Sequence, residues 1–167
     1  AGYADIAAYE HGSFRLLPPS PARSSIIRIY GESSGDFYIL TGGGEMFRFV
    51  SGRYKEILHG LEVTDFCFSD MDYGYILSGD KLYCMDAGRI DLAGTDPDYL
   101  KVRKIQLTPD GTVLMVGDKG LIMSCFAQHL SHHDSHCNDN LTDVVVASSN
   151  DIWICGENGR LLYHGSK

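Results

Sequence analysis

The stretch Asp143-Val-Val-Val-Ala-Ser-Ser-Asn-Asp-Ile-Trp-Ile-Cys-Gly-Glu-Asn-Gly-Arg-Leu-Leu-Tyr-His-Gly165 reads as strand, polar turn, strand, Gly-x-x-Gly turn and strand. Its β-branched and aromatic residues suit a pleated, half-buried surface, and its Gly, Asn, Asp and Ser suit tight turns. The same phrase occurs three more times upstream. Ile26–Tyr30, Phe37–Thr41, Met46–Phe49 and Tyr54–Ile57 make a first unit, and Val63–Phe68, Tyr75–Ser78, Leu82–Met85 and Arg89–Leu92 a second. Val102–Leu107, Val113–Val116, Leu121–Cys125 and a weaker His129–Ser131 make the third. Val144–Ala147, Ile152–Cys155 and Leu161–Tyr163 make the fourth, which has no fourth strand.

Glycine carries the phase of the repeat. Gly42, Gly79, Gly117 and Gly156 close the second strand of successive units, at steps of 37, 38 and 39 residues. Gly44, Gly120 and Gly159 sit in the turn that follows, where the second unit is one residue shorter. Gly12, Gly52 and Gly88, with Gln128 in the third unit, mark the turn between third and fourth strands. Tight turns between short strands need φ > 0, which glycine supplies without a Cβ clash. Four short strands recurring about every 40 residues predict an all-β fold, a β-propeller or partial propeller of about four blades. A β-sandwich would not need glycines in phase. No stretch carries a long 3.6-residue period, so essentially no α-helix is expected.

The reading is one domain over 1–167, with an N-terminal hairpin at 3–17 and blades at about 25–57, 63–92, 102–131 and 142–164. Pro18, Pro19 and Pro21 end the hairpin, because proline cannot donate into a ladder. The hairpin is phased as a third and a fourth strand. Phe14–Leu17 is therefore expected to complete the last blade, or else the chain is half of a larger ring, completed by a second copy or another polypeptide.

With these residues on the page, the repeats resemble bacterial propeller repeats in which Ser-Ser-x-Asp-Val-Trp-Ala-Val-Gly precedes Gly-x-Ile-x-His-Tyr-Asp-Gly. They are also similar to the propellers of two-component regulators and of photosystem assembly factors. Tyr30–Gly42 and Tyr9–Phe14 look like degraded copies of the phrase, and its Trp survives only at Trp153. The resemblance implies a propeller fold with a role in display or recognition, and supplies no catalytic residue.

Bulk properties narrow the function classes. A net charge of −8 argues against nucleic acid, whose binding rests on Lys and Arg neutralising phosphates. The apolar runs fall short of the roughly 18 residues a membrane span needs. Ala1-Gly-Tyr-Ala-Asp5 shows no secretory signal pattern, although a processed chain would read the same. Five Cys with no C-x-x-C pair, of which Cys67, Cys84 and Cys155 fall inside strands as small buried hydrophobes, lean towards a reducing, cytoplasmic compartment.

His129-Leu-Ser-His-His-Asp-Ser-His-Cys137 packs imidazoles and a thiol into nine residues, so His129, His132, His133, His136 and Cys137 are candidate Zn²⁺ ligands. Their spacing matches no standard finger, and a polar strand with its connector is the plainer reading. Asp91, Asp96 and Asp98 are oxygen ligands without EF-hand order, and read as a solvated turn. Asp65, Asp70, Asp72 and Glu45 are loose carboxylates of the kind glycoside cleavage would need in pairs. No Gly-x-Ser-x-Gly elbow or phosphate loop occurs, so an enzyme is not favoured and no cofactor is implied. Trp153, Tyr30, Tyr73 and Tyr99, with Tyr38 and Tyr54, are candidate contact aromatics. The expected function is non-enzymatic recognition of a protein partner through blade loops; the alternatives are carbohydrate binding, or a small-molecule or metal-dependent enzyme using the His129–Cys137 cluster.

Overall fold

The structure is a computed structural model and describes residues 5–165, so Tyr3 of the expected hairpin lies outside them. The chain forms two compact units, Ala1–Val63 and Thr64–Lys167. In the first, β1 (Ala7–Glu10) and β2 (Ser13–Leu16) make a two-stranded sheet of their own, with Ala7 opposite Leu16. Strands β3 (Ile26–Ser33), β4 (Asp36–Thr41), β5 (Met46–Val50) and β6 (Arg53–Ile57) form an antiparallel sheet in chain order. The hairpin covers one face of this sheet. Ile6, Ala8 and Leu17 pack with Phe37, Ile39, Phe47 and Phe49, and the Phe37 and Phe49 rings stack at 4.9 Å.

The second unit holds three more sheets of the same kind. They are β7 (Val63–Phe68), β8 (Tyr73–Ser78), β9 (Lys81–Asp86) and β10 (Arg89–Thr95); then β11 (Val102–Leu107), β12 (Val113–Gly117), β13 (Ile122–Phe126) and β14 (His129–His133); then β15 (Leu141–Ser148), β16 (Asp151–Gly156) and β17 (Leu161–Gly165). The described residues contain three short 3-10 turns and no α-helix. The protein is all-β, with four small antiparallel blades of the propeller type.

Alternation along the strands decides which face meets which neighbour. In the third sheet Val113 and Met115 share a core with Cys67, Leu77 and Leu82 of the second. Leu114 and Val116, one residue out of step, share a core with Val144 and Ile154 of the fourth. By the same alternation Trp153 and Cys155 lie on the far face of the fourth sheet. Cys155 is therefore exposed, unlike the buried Cys67 and the half-buried Cys84.

The third-to-fourth-strand turns were located correctly by their glycines. His11/Gly12, Ser51/Gly52, Ala87/Gly88 and Ala127/Gln128 all have both φ angles positive, which is the type I′ hairpin condition. The closing position of the second strand needs one correction. Gly117 N–H donates to Leu121 O and Gly156 N–H to Arg160 O, and the residue making this bond in the first sheet is Thr41, to Glu45 O, not Gly42. Gln128, at φ 67, occupies a position that glycine holds in the other three hairpins. Gln128→Gly is expected to stabilise the protein by about 0.5–1 kcal/mol, read as a raised urea midpoint at constant slope.

Candidate functional site

The third and fourth sheets meet tightly near Val116, Leu141 and Val144 and part towards one end, leaving a cleft of about 500 Å³. Its floor is apolar: Leu114 and Ile122 from the third sheet, and Ile152, Ile154 and Leu162 from the fourth. One wall is the end of β14 and the connector beyond it, from His133 to His136. Thr108, Asp110 and Thr112 of the β11–β12 turn, Ser149 and His164 form the remaining rim.

Several polar groups on this rim are held by local bonds. The Thr108 hydroxyl bonds the Asp110 carboxylate, and the Thr112 amide donates to it at 3.2 Å. These bonds, the hydroxyl first, keep Asp110 below the usual carboxylate range. Ser124 Oγ lies 2.7 Å from His133 Nε2. Asp134 accepts the His136 amide at 2.8 Å and faces His136 Nδ1 at 3.0 Å. A hydrolytic triad would need a carboxylate on the far side of the Ser124-bonded imidazole; Asp134 instead turns to His136. These groups set hydroxyls, imidazoles and two carboxylates around the apolar floor.

The connector that makes the wall is pinned from below. Gly120 N–H donates to Asp139 O at 2.8 Å, and Lys119 N–H to Asn140 Oδ1 at 3.0 Å. Asp139 accepts Asn158 Nδ2 at 3.0 Å and Arg160 Nε at 2.7 Å, and these two partners hold its carboxyl below the ordinary range. Asn140 and Glu157 bond reciprocally, Asn140 accepting the Glu157 amide at 2.9 Å and donating Nδ2 to its carboxylate at 2.9 Å. The wall is thus tied to both sheets.

The histidine run is spread by strand geometry. His129, His132 and His133 lie on β14 opposite Phe126, Met123 and Ile122, so the adjacent His132 and His133 project to opposite faces. His133 lines the cleft, whereas His132 lies near enough to Asp98 to help lower its pKa, behind the larger effect of Lys101. His136 is paired with Asp134, and Cys137 lies against Ser135. Among the described residues no three His, Cys, Asp or Glu side chains converge in a group that could hold a metal.

The candidate aromatics divide in the same way. Tyr99 is 3% exposed and packs in the core between the second and third sheets, where burial pushes its phenol up to about 12. Tyr73 packs on that core, its hydroxyl 3.4 Å from that of Tyr75. Tyr30 lines a shallow hollow beside the hairpin. Trp153 is 42% exposed and tilts over Tyr163 at 4.3 Å, with Val145 beside it, on the far face of the fourth sheet. Asp96 caps the turn at Pro97–Lys101, Asp98 pairs with Lys101 and Asp91 with Arg89. The cleft residues Leu114, Ile122, Ile152 and Leu162 were read only as strand interior, and alternation was the one signal that set them on facing sides.

No family model matches the chain, and no curated protein matches it in sequence. Solved propellers match it in shape. The chain is similar to YCF48 bound to a D1 peptide, at 16% identity and TM-score 0.72, over 97% of this chain and 58% of that one. It is similar to the WD40 β-propeller domain of Doa1, at 15% identity and TM-score 0.75, over 98% and 58%. The extracellular domain of the hybrid two-component system BT3049 from B. thetaiotaomicron matches at 12% identity and TM-score 0.68, over 98% and 26%. The chain thus spans little more than half of the first two structures, and likeness at this identity shows the fold alone.

Proposed function

We propose that the chain is a non-enzymatic recognition module that holds a segment of a protein partner in the cleft between its third and fourth sheets. The observation that carries this reading is the cleft itself: about 500 Å³, an apolar floor, and a rim of hydroxyls and imidazoles fixed on paired sheets. A similar propeller solved with a peptide bound supports it. The exposed Trp153–Tyr163 pair supports a second reading, a sugar stacked on the far face of the fourth sheet.

A photo-crosslinking residue at Ser149, on the cleft rim, identifies the partner and the segment bound. Ser124→Arg, which fills the cleft from a half-buried position, is expected to weaken that partner at least about tenfold with the thermal midpoint unchanged. Unchanged affinity in Ser124→Arg would sink the cleft reading. Trp153→Ala is expected to leave partner binding intact; loss of binding to a glycan panel in that variant alone would favour the sugar.

A further inference from the structure

The third sheet turns Leu114 and Val116 of β12, and Ile122 and Ser124 of β13, towards the fourth. Of these, Ser124 alone is polar. The corresponding cross-strand pairs are Tyr38 with Arg48 in the first sheet and Tyr75 with Cys84 in the second. There the tyrosine engages the residue opposite. The Arg48 guanidinium lies 5.2 Å over the Tyr38 ring, and the Tyr75 hydroxyl bonds the Cys84 sulfur. Opposite Ser124 stands Leu114, which offers no polar atom, so the hydroxyl takes its partner from the strand on its other side.

That partner is His133. In β14, Ser131 lies opposite Ser124 and His133 opposite Ile122, which makes His133 the diagonal neighbour of Ser124 on the same face. Ser124 Oγ and His133 Nε2 are 2.7 Å apart, the separation of a nucleophile from its base. The hydroxyl is half-buried, the imidazole is exposed, and both line the cleft. Beside the hydroxyl, Leu114, Ile122, Ile152 and Leu162 offer an aliphatic chain a dry surface. Ser135 and Ser149 line the same cleft, but Ser135 lies against Cys137, and of the described cleft serines only Ser124 bonds an imidazole.

We infer that Ser124 is a modification site, which accepts a short aliphatic acyl group from an activated aryl ester or thioester with His133 as its base. Ser124 Oγ attacks the carbonyl carbon while its proton passes to His133 Nε2. The bond from that carbon to the leaving oxygen or sulfur then breaks, and the departing phenolate or thiolate takes the proton from His133. The products are the Ser124 ester and a free phenol or thiol, with nothing oxidised or reduced. Asp134 is turned to His136 rather than to His133, so the pair serves as an acyl acceptor and not as a hydrolytic triad. The inference goes beyond the recognition reading and bears on it: an acyl chain on Ser124 covers the floor a partner segment uses, so acylation releases the partner.

The test treats the whole chain with p-nitrophenyl butyrate and follows p-nitrophenol release together with peptide mapping. Stoichiometric release is expected, with the butyryl group on Ser124 and with Ser135 and Ser149 unmodified. His133→Gln, at an exposed position, should slow labelling of Ser124 about a hundredfold with the thermal midpoint unchanged. The acetate ester should label about tenfold more slowly than the butyrate, because the floor holds the longer chain. No butyryl group on Ser124, equal labelling of Ser149, an unchanged rate in His133→Gln, or equal rates for the two esters would each overturn the proposal. The Ser149 crosslink reads the recognition role separately, so it can stand when acylation fails. Where both hold, the butyrylated chain should bind the crosslinked partner at least about tenfold more weakly than the untreated chain.

Discussion

Gly120→Ala is expected to lower folding stability by about 3 kcal/mol and to remove partner binding with it. Gly120 has φ 74, a region that costs an L-residue about 1–2 kcal/mol. The added Cβ would also stand 2.1 Å from Cys137 O and 2.5 Å from Ser135 Oγ. A serine hydroxyl can rotate away; a backbone carbonyl in a pinned connector cannot. Relief of the clash requires residues 135–139 to move, which breaks the bond from Gly120 N–H to Asp139 O and shifts the wall carrying His133 and His136. Gly159 is the control, since it holds the same turn position at φ 74 and a Cβ there meets nothing within 4 Å. Gly159→Ala should therefore cost only the conformational part, about 1 kcal/mol. Urea midpoints of the two variants measure the difference. Equal losses would mean that the connector over Gly120 yields freely, and that it does not fix the cleft wall.

That pair of glycines also shows what the sequence could and could not disclose. The phase of the repeat was legible because each hairpin demands positive φ at fixed places, and glycine at 12, 52 and 88 marks them; Gln128 was placed by the same count. The first sheet was misphased by one because Gly42-Gly-Gly44 offers three glycines where the turn bond belongs to Thr41. The histidine run shows a related limit. Composition gathers donors along the chain, whereas a strand sends His132 and His133 to opposite faces. Cys155 reads as a strand hydrophobe, yet it is exposed, because alternation sets it on the side of β16 away from the buried Ile154. The cleft had no local signature. Leu114 and Ile154 alternate like any core residues, and the cleft over them is completed by the β11–β12 turn and the β14–β15 connector, which are separate in sequence.

Asp65 shows the same limit for a charged residue and is the site of the second large effect. In sequence it is one of several loose carboxylates available for acid–base work. In the structure it is 4% exposed on β7, accepts the Ile105 amide at 2.9 Å and lies 3.9 Å from Lys104 Nζ. It ties the second sheet to the third at the bulge between Val102 and Lys104, where the β11–β12 register shifts. Asp65→Ala leaves the amide of the fully buried Ile105 without this acceptor and opens space beside it, which is expected to cost about 3 kcal/mol. Asp65→Asn keeps a carbonyl acceptor at the same place and gives up only the charge, so about 1 kcal/mol is expected. Hydrogen exchange at Ile105 separates hydrogen bonding from packing: protection should collapse in the alanine variant and persist in the asparagine variant. Retained protection at Ile105 in Asp65→Ala would show that the backbone finds another acceptor, and that this carboxylate is not what locks the two sheets in register.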